Sequence, residues 1–289
     1  MGYQLKKPVL LAQLSEALDL EVVGPDALIR EVSAYSSLTK NCLSFSKNVT
    51  NLVEKSVVIT FEDQCSYELD NLSYILSNNP RLDFIRVLNF LQGEIGFSTW
   101  SEPSYIHPTA IIGKNVVIED GCRVGENTVI EHNVVLHSGT RIGNNSRIRS
   151  CSSIGGDGFG YERLKNGVPI RFPHLGGVLI GDNVEIGALN SISCGALSDT
   201  VIKNNVKTDN LVHIAHNCII DESVLITACA ELSGGVTVGK DAWIGPNVSI
   251  MQKVSIGEDA LIGLGAVVTK DVPISSVFAG NPAKKIRDK

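Results

Sequence analysis

The segment His213-Ile214-Ala215-His216-Asn217 holds the side chains best suited to chemistry in this sequence. An imidazole with an ordinary pKa near ~6.5 is mostly neutral at cellular pH and can accept a proton there. Ile214 falls on a six-residue apolar repeat that runs through most of the chain, so His216 stands two places past an inward residue, at the following turn, pointing out. If three hexads make one turn, residues eighteen apart stack, and counting from His216 reaches Gly234, Gln252 and Lys270. A base then lies beside a glycine whose backbone N–H no side chain shields. Acyl transfer uses such a pair: the base takes a proton from the attacking nucleophile and the amide stabilises the oxyanion. Two other readings stay open, a plain surface histidine and a zinc site. For zinc, His213 and His216 are three apart but sit on a corner, and no third ligand has obvious stacking. Asp209 is a candidate carboxylate for orienting an imidazole.

The elements that must position these residues follow from the repeat. A bulky aliphatic residue returns every six positions from Ile106 to Ile154, resumes at Ile180, Ile186 and Ile192, and runs again from Ile202 to Ile274, with Thr208 the one member that is not Ile, Leu or Val. Small residues such as Ala110, Cys122, Thr128, Ala242 and Ala260 precede the beat by two, and glycine often follows it. A period of six matches neither a helix nor a strand-and-hairpin pattern. It predicts a mainly β chain, a parallel β-helix in which each hexad is one short strand plus a turn. Two stretches break the repeat: residues 155–177, too long and polar for a turn, and about four extra residues within Gly195–Asp199. Solenoids tolerate insertions because each coil touches only its neighbours, and insertions tend to fall on a functional face.

Residues 1–100 lack the hexad and read as a small α/β domain. Helices are predicted over Pro8–Leu18 and Arg81–Leu91, and short apolar runs over Ala27–Val32, Leu43–Phe45, Ser56–Phe61 and Leu72–Leu76. The β-helix is assigned to residues 101–274, with 155–177 as an external loop, and a short tail to 275–289. Gly234-Gly235-Val236-Thr237-Val238-Gly239-Lys240-Asp241 lacks the hydroxyl residue after lysine that a phosphate loop needs, and GGDGFG at 155–160 has no strand-then-helix context for dinucleotides.

Composition excludes several classes. A net charge of −6 and a pI near 5.5 oppose nucleic-acid binding, which needs a basic face. Seven scattered cysteines, none paired at metal-ligand spacing, read as reduced cytosolic thiols. No apolar run approaches the ~18 residues of a membrane span, and the N-terminal residues read as helix-periodic rather than as a signal peptide.

Together, IGGDGFGY (Ile154–Tyr161), IGDNVEIGA (Ile180–Ala188), GALSDTVI (Gly195–Ile202) and DNLVHIAHN (Asp209–Asn217) resemble the left-handed β-helix acyltransferases, most nearly the UDP-3-O-acylglucosamine N-acyltransferases of lipid A synthesis. The resemblance implies a cytoplasmic homotrimer with active sites between subunits, His216 as the base that deprotonates a sugar amine, and Gly234 as the oxyanion donor. It implies an N-terminal domain that grips the nucleotide through Phe45 and Asn48, and places His213, Asn217 and Asp209 near the substrate. Two departures stand out. The chain ends about fifteen residues after Ile274, without the helical extension that docks acyl carrier protein, and the family's second histidine, near Gln252 or Lys253, is absent. The ending, with Gly280, Asn281, Pro282, Lys284 and Arg287, is similar instead to coenzyme-A-dependent sugar acetyltransferases, where these residues meet the cofactor. The expected function is therefore transfer of an acyl group, such as a short 3-hydroxyacyl, from acyl-CoA to the amine of a UDP- or dTDP-linked amino sugar, in O-antigen or capsule (lipopolysaccharide or other surface-glycan) synthesis, without metal. The alternatives are the lipid A N-acyltransferase itself, with acyl carrier protein as donor, and a non-catalytic sugar-nucleotide-binding scaffold.

Overall fold

A computed structural model describes residues 2–50, 53–65 and 72–289. The chain divides into two compact units, Met1–Ser101 with Gly160–Pro173, and Glu102–Phe159 with His174–Lys289.

The first unit is built on one six-stranded sheet. In chain order its elements are β1 (Tyr3–Leu10), α1 (Leu11–Leu18), β2 (Glu21–Val23), β3 (Leu28–Val32), β4 (Cys42–Phe45), β5 (Val57–Thr60), β6 (Ser73–Leu76) and α2 (Pro80–Phe90). The sheet order is β1-β3-β4-β5-β6-β2, with parallel pairing from β3 to β6 and an antiparallel strand at each edge. The four apolar runs become β3 to β6. The first predicted helix begins three residues late, because Tyr3, Leu5 and Val9 turn inward on a strand that takes up Pro8. β2 was not anticipated: it is three residues long, with only Val22 and Val23 apolar, and none of the three is buried. α2 starts at Pro80, whose missing N–H costs nothing in a first turn, and Asn79 Oδ1 caps it by accepting the Leu82 N–H at 3.2 Å. Part of the segment expected to be an external loop of the β-helix belongs to this unit. Tyr161–Arg163 and Pro169–Arg171 form an antiparallel hairpin, fastened to α2 by the Arg81–Glu162 ion pair at 3.1 Å and by Asn89 Nδ2 donating to the Arg171 carbonyl at 2.9 Å.

The second unit is a left-handed parallel β-helix. Three parallel sheets form its faces, and two-residue strands stack in the expected register: Val124 on Ile106, Ile130 on Ile112, Leu136 on Ile118, each eighteen residues on. The first strand residue points out and the second in, so the beat fills the interior; from Ile130 to Val268 its members are almost wholly buried. The register closes differently from the sequence reading. Ile274 is 69% exposed, since Val272 takes the place beside Ile256 and Phe278 continues the column over Ile262. The tail forms an antiparallel pair, Ser276–Ala279 with Lys284–Asp288, that extends the second face.

Thr208 has a structural reason. Its hydroxyl accepts the Gly187 N–H at 3.1 Å and the Asn190 side-chain amide at 2.6 Å, while Asn190 Oδ1 accepts the Val212 N–H at 2.7 Å. Asn190 and Thr208 are buried, and water cannot replace these bonds. A valine there would restore the apolar repeat and strand two donors. We predict that Thr208→Val lowers stability by ~1–3 kcal/mol, the cost of unsatisfied buried donors; a urea midpoint equal to or above the parent's would contradict this. Burial also pushes the thiol of Cys122 up to about 11 and those of Cys194 and Cys218 up to about 12. Native protein treated with iodoacetamide at about pH 8 should leave these three unmodified, because only thiolates alkylate quickly, and peptide mass spectrometry would show any early modification.

Candidate active site

The corner between the third and first faces carries the site. Ile214 pairs with Leu232, Leu232 with Ile250, and Ile250 with Val268, so the residues two places on, His216, Gly234, Gln252 and Lys270, form one column. The Gly235 N–H donates to the His216 carbonyl at 2.9 Å and the Lys253 N–H to the Gly234 carbonyl at 3.0 Å, which fixes the column through the backbone. Gly234 has no room for a side chain: a Cβ there would lie 2.7 Å from His216 Nε2. Among the described residues its own N–H makes no hydrogen bond.

Asn217 sets the state of the imidazole. It occupies the left-handed corner position at φ 60°, which asparagine tolerates better than most residues. Its Nδ2 donates to the carbonyl and the hydroxyl of Ser198, at 3.2 and 2.8 Å, so its Oδ1 is the end that accepts the Ala196 N–H at 3.1 Å. That same Oδ1 lies 3.0 Å from His216 Nδ1. An oxygen offers no proton, so Nδ1 carries the hydrogen in the neutral ring and Nε2 keeps its lone pair. The four extra residues of the second interruption thus fold against Asn217 and select the tautomer that leaves a base facing Gly234.

Both interruptions meet at this point. The Leu175 and Gly176 N–H groups donate to the carbonyls of Ala196 and Gly195, at 2.8 and 2.9 Å, and Asp199 both accepts the Gly177 N–H at 2.9 Å and pairs with Arg141. They bring His174 against His216, with ring centroids 5.3 Å apart and planes at 70°. Gly158 closes the same side: a Cβ there would meet His174 Nε2 at 2.7 Å and His216 Cβ at 2.8 Å.

Other sequence-predicted residues fall elsewhere. Asp209 stands at the corner between the second and third faces, where its carboxylate accepts the Asn210 N–H at 2.7 Å, so within one chain it does not orient His216. His213 lies on the third face between Ser191 and Glu231, pointing away from the interior. Gln252 and Lys270 are exposed in the His216 column. Gly280, Asn281, Pro282, Lys284 and Arg287 are not in it. Their turn fastens to Val267, whose N–H donates to the Gly280 carbonyl while its own carbonyl accepts the Ala283 N–H, and the basic residues follow on the second face. In the first unit, Phe45 is half-buried at the end of β4 against Phe84, at 4.7 Å between centroids, and Asn48 is exposed in a turn that the Ser46 hydroxyl closes. His174 and Gly158 were missed as site residues. The only signal was that the hexad breaks twice, upstream of His216. Among the described residues, no group of three or more His, Cys, Asp and Glu is gathered as metal ligands, and no helix is long and apolar enough to cross a membrane.

Acyltransferases are among the proteins similar to this chain. The bacterial transferase hexapeptide (six repeats) family matches residues 121–156 and 235–270. Among solved structures, the UDP-N-acetylglucosamine acyltransferase of Francisella novicida is 29% identical with a TM-score of 0.60, over 65% of this chain and 67% of that one. LpxA from Acinetobacter baumannii is 26% identical with a TM-score of 0.55, over 63% and 71%. Two UDP-3-O-acylglucosamine N-acyltransferases match almost end to end: that of Campylobacter lari at 31% identity over 96% of this chain and 94% of its own, and that of Helicobacter pylori at 32% over 96% and 90%.

These relatives overturn the expectation of a coenzyme-A-dependent enzyme of O-antigen or capsule synthesis. That expectation rested on the short ending and its tail residues and on the missing second histidine, against which stands similarity along nearly the whole chain. In the structure the tail packs on the last coil through Val267 and Phe278, a need of any β-helix whatever its donor. With most of the first hundred residues inside the match as well as the coils, the chain is an acyltransferase acting on an amino-sugar nucleotide and belongs to the family of UDP-3-O-acylglucosamine N-acyltransferases.

Proposed function

We propose that this protein N-acylates UDP-3-O-acylglucosamine in lipid A synthesis, taking a 3-hydroxyacyl group from acyl carrier protein. The observation that carries the chemistry is the hydrogen bond from His216 Nδ1 to Asn217 Oδ1, with Gly234 against Nε2. The substrate follows from what the relatives' names say they act on. In the mechanism His216 Nε2 removes a proton as the sugar amine attacks the thioester carbonyl, and the Gly234 N–H holds the tetrahedral oxyanion. Nitrogen to carbon forms, carbon to sulfur breaks, the proton held by His216 passes to the departing thiolate so that the base is restored, and no covalent enzyme intermediate is required because a neutral amine is already a competent nucleophile.

Candidate residues elsewhere in each unit have matching roles. Gln252 and Lys270 continue the column away from Gly234, and with exposed Lys253 they offer polar and positive groups to the phosphopantetheine arm of an acidic carrier protein. Phe45, backed by buried Phe84, has ring surface available for stacking on a nucleobase, and Asn48 stands three residues beyond it. His213 and Asp209, on the third face and its other corner, serve the site from a neighbouring subunit if the chains assemble as a homotrimer.

His216→Ala should reduce turnover by on the order of 10²-fold or more, the usual weight of a general base, with the oligomer intact by size-exclusion chromatography; an unchanged rate would remove His216 from the mechanism. Gly234→Ala should be equally harmful, since its methyl group would occupy the space at Nε2, and a variant with near-parental kcat would show that the site is not arranged this way. The donor is tested by mass spectrometry with UDP-3-O-acylglucosamine and 3-hydroxyacyl carrier protein: N-acylated product is expected, and absence of product with an active carrier-protein control would refute the proposed reaction.

A further inference from the structure

A connected carboxylate, imidazole and hydroxyl lie outside the His216 column. Glu119, His137 and Ser153 belong to successive coils of the second unit, where the third face meets the first. His137 Nδ1 is 3.2 Å from Glu119 Oε1, and its Nε2 is 3.2 Å from the Ser153 hydroxyl. The other carboxylate oxygen, Oε2, accepts the Ser138 N–H at 2.9 Å and the Ser138 hydroxyl at 3.2 Å.

These partners fix where the protons are. Burial alone would raise the Glu119 pKa, but hydrogen bonds from Ser138 and the adjoining His137 ring hold it below the usual carboxylate range. An ionised carboxylate only accepts. In the neutral ring Nδ1 therefore carries the hydrogen, Nε2 keeps its lone pair, and the Ser153 hydroxyl donates to it. A hydroxyl bonded to a base, with that base held in one tautomer by a carboxylate, is the arrangement that activates serine as a nucleophile.

The group is also accessible. Ser153 is half-buried on the outer side of its strand, and the His137 and Glu119 side chains are 31% and 43% exposed. Gly156 keeps the approach clear: a Cβ there would stand 3.5 Å from His137 Nε2 and 3.9 Å from Ser153 Oγ, so glycine leaves the space bordering both without a side chain. Ser191, the register partner of Ser153 on the next coil, is exposed and adds a hydroxyl donor beside it. Cys122 donates its thiol to the His137 carbonyl at 3.2 Å, but it is buried and pushed up to about 11, so it does not compete as nucleophile. Leu136 stacks against Ile154, Ile154 against Ile192, and Ile192 against Ile214, which puts His137 three coils before His216, ~14 Å at the ordinary strand spacing.

We propose that Glu119, His137 and Ser153 form a second acyl-transfer site, at which Ser153 takes the acyl group of activated short-chain esters and water then releases it. This stands independently of the N-acyltransferase reading. Ser153 Oγ bonds to the ester carbonyl carbon as its proton passes to His137 Nε2; the carbon–oxygen bond to the alcohol breaks, and the departing oxygen takes that proton. Water then attacks the acyl-serine, giving a proton to Nε2, which returns it to Oγ as the acid leaves. The net reaction is ester plus water to acid plus alcohol. Glu119 touches no reacting atom; it is a positioning residue that holds the ring and balances the imidazolium.

The test uses the full chain with p-nitrophenyl acetate, followed by release of p-nitrophenolate, and in parallel a fluorophosphonate followed by peptide mass spectrometry. The parent should hydrolyse the ester faster than buffer and carry the phosphonate on Ser153, whereas urea-denatured parent should not be labelled there. Ser153→Ala and His137→Gln should each lose about 10²-fold or more of the hydrolysis, the usual weight of a general base, with circular dichroism unchanged. Glu119→Gln should lower the rate and also shift the neutral His137 ring toward Nε2–H in ¹⁵N-histidine spectra, because the Ser138 N–H claims the amide oxygen and turns the NH2 toward Nδ1. A folded parent that is not labelled on Ser153 or hydrolyses no faster than buffer, labelling that survives denaturation, or hydrolysis undiminished in Ser153→Ala would overturn the assignment.

Discussion

The hydrogen bond between Asn217 Oδ1 and the His216 ring is the constraint on which the site depends. An imidazole is a base on one nitrogen only, and an outward histidine at a solenoid corner has no inherent preference for which. Here the choice is forced. Ser198 takes both donors of the Asn217 amide, Ala196 N–H takes one lone pair of its oxygen, and what remains is an acceptor aimed at Nδ1. Asparagine suits the position twice over, because its backbone accepts the left-handed corner and its short amide reaches the bulge.

The β-helix supplies rigidity, the interruptions supply chemistry. Stacked coils buried through most of their length fix His216 and Gly234 to within a hydrogen-bonded register, which is the precision a base and an oxyanion donor require. A perfectly regular solenoid would leave the Asn217 amide free to turn either end toward Nδ1. The four-residue bulge orients it through Ala196 and Ser198, so that the oxygen faces the ring, and the long excursion rejoins the coil as His174–Gly177. Insertions cost a solenoid little, so they are where its surface can be shaped.

Much of this was legible in the sequence. The hexad gave the coils, the register eighteen residues apart, and through it the His216–Gly234 column, because stacking in a parallel β-helix depends only on counting. What counting cannot give is the fold of an insertion. Asn217 was taken for a substrate contact, since its partners, Ala196 and Ser198, are about twenty residues away and outside the repeat; His174 was passed over because it lies within a loop with no period. Asp209 fell to the wrong corner, as neighbourhood in sequence is not neighbourhood on a triangular coil. At the ends, Ile274 matched the period but not the register, and the counting gave no sign that the tail would pack on the last coil. β1 escaped for the opposite reason, its alternation being short and interrupted by Lys6, Lys7 and Pro8.

The most direct test of the account is the tautomer of His216 itself. Long-range nitrogen–proton correlation spectra of protein labelled with ¹⁵N-histidine, assigned by comparison with His216→Gln, distinguish a protonated Nδ1 from a protonated Nε2 in the neutral ring. The structure predicts the Nδ1–H form, and predicts that Asn217→Ala shifts the population toward Nε2–H. A neutral His216 found as Nε2–H in the parent would mean that the lone pair points at Asn217 rather than into the groove beside Gly234, and the ring would not be the base.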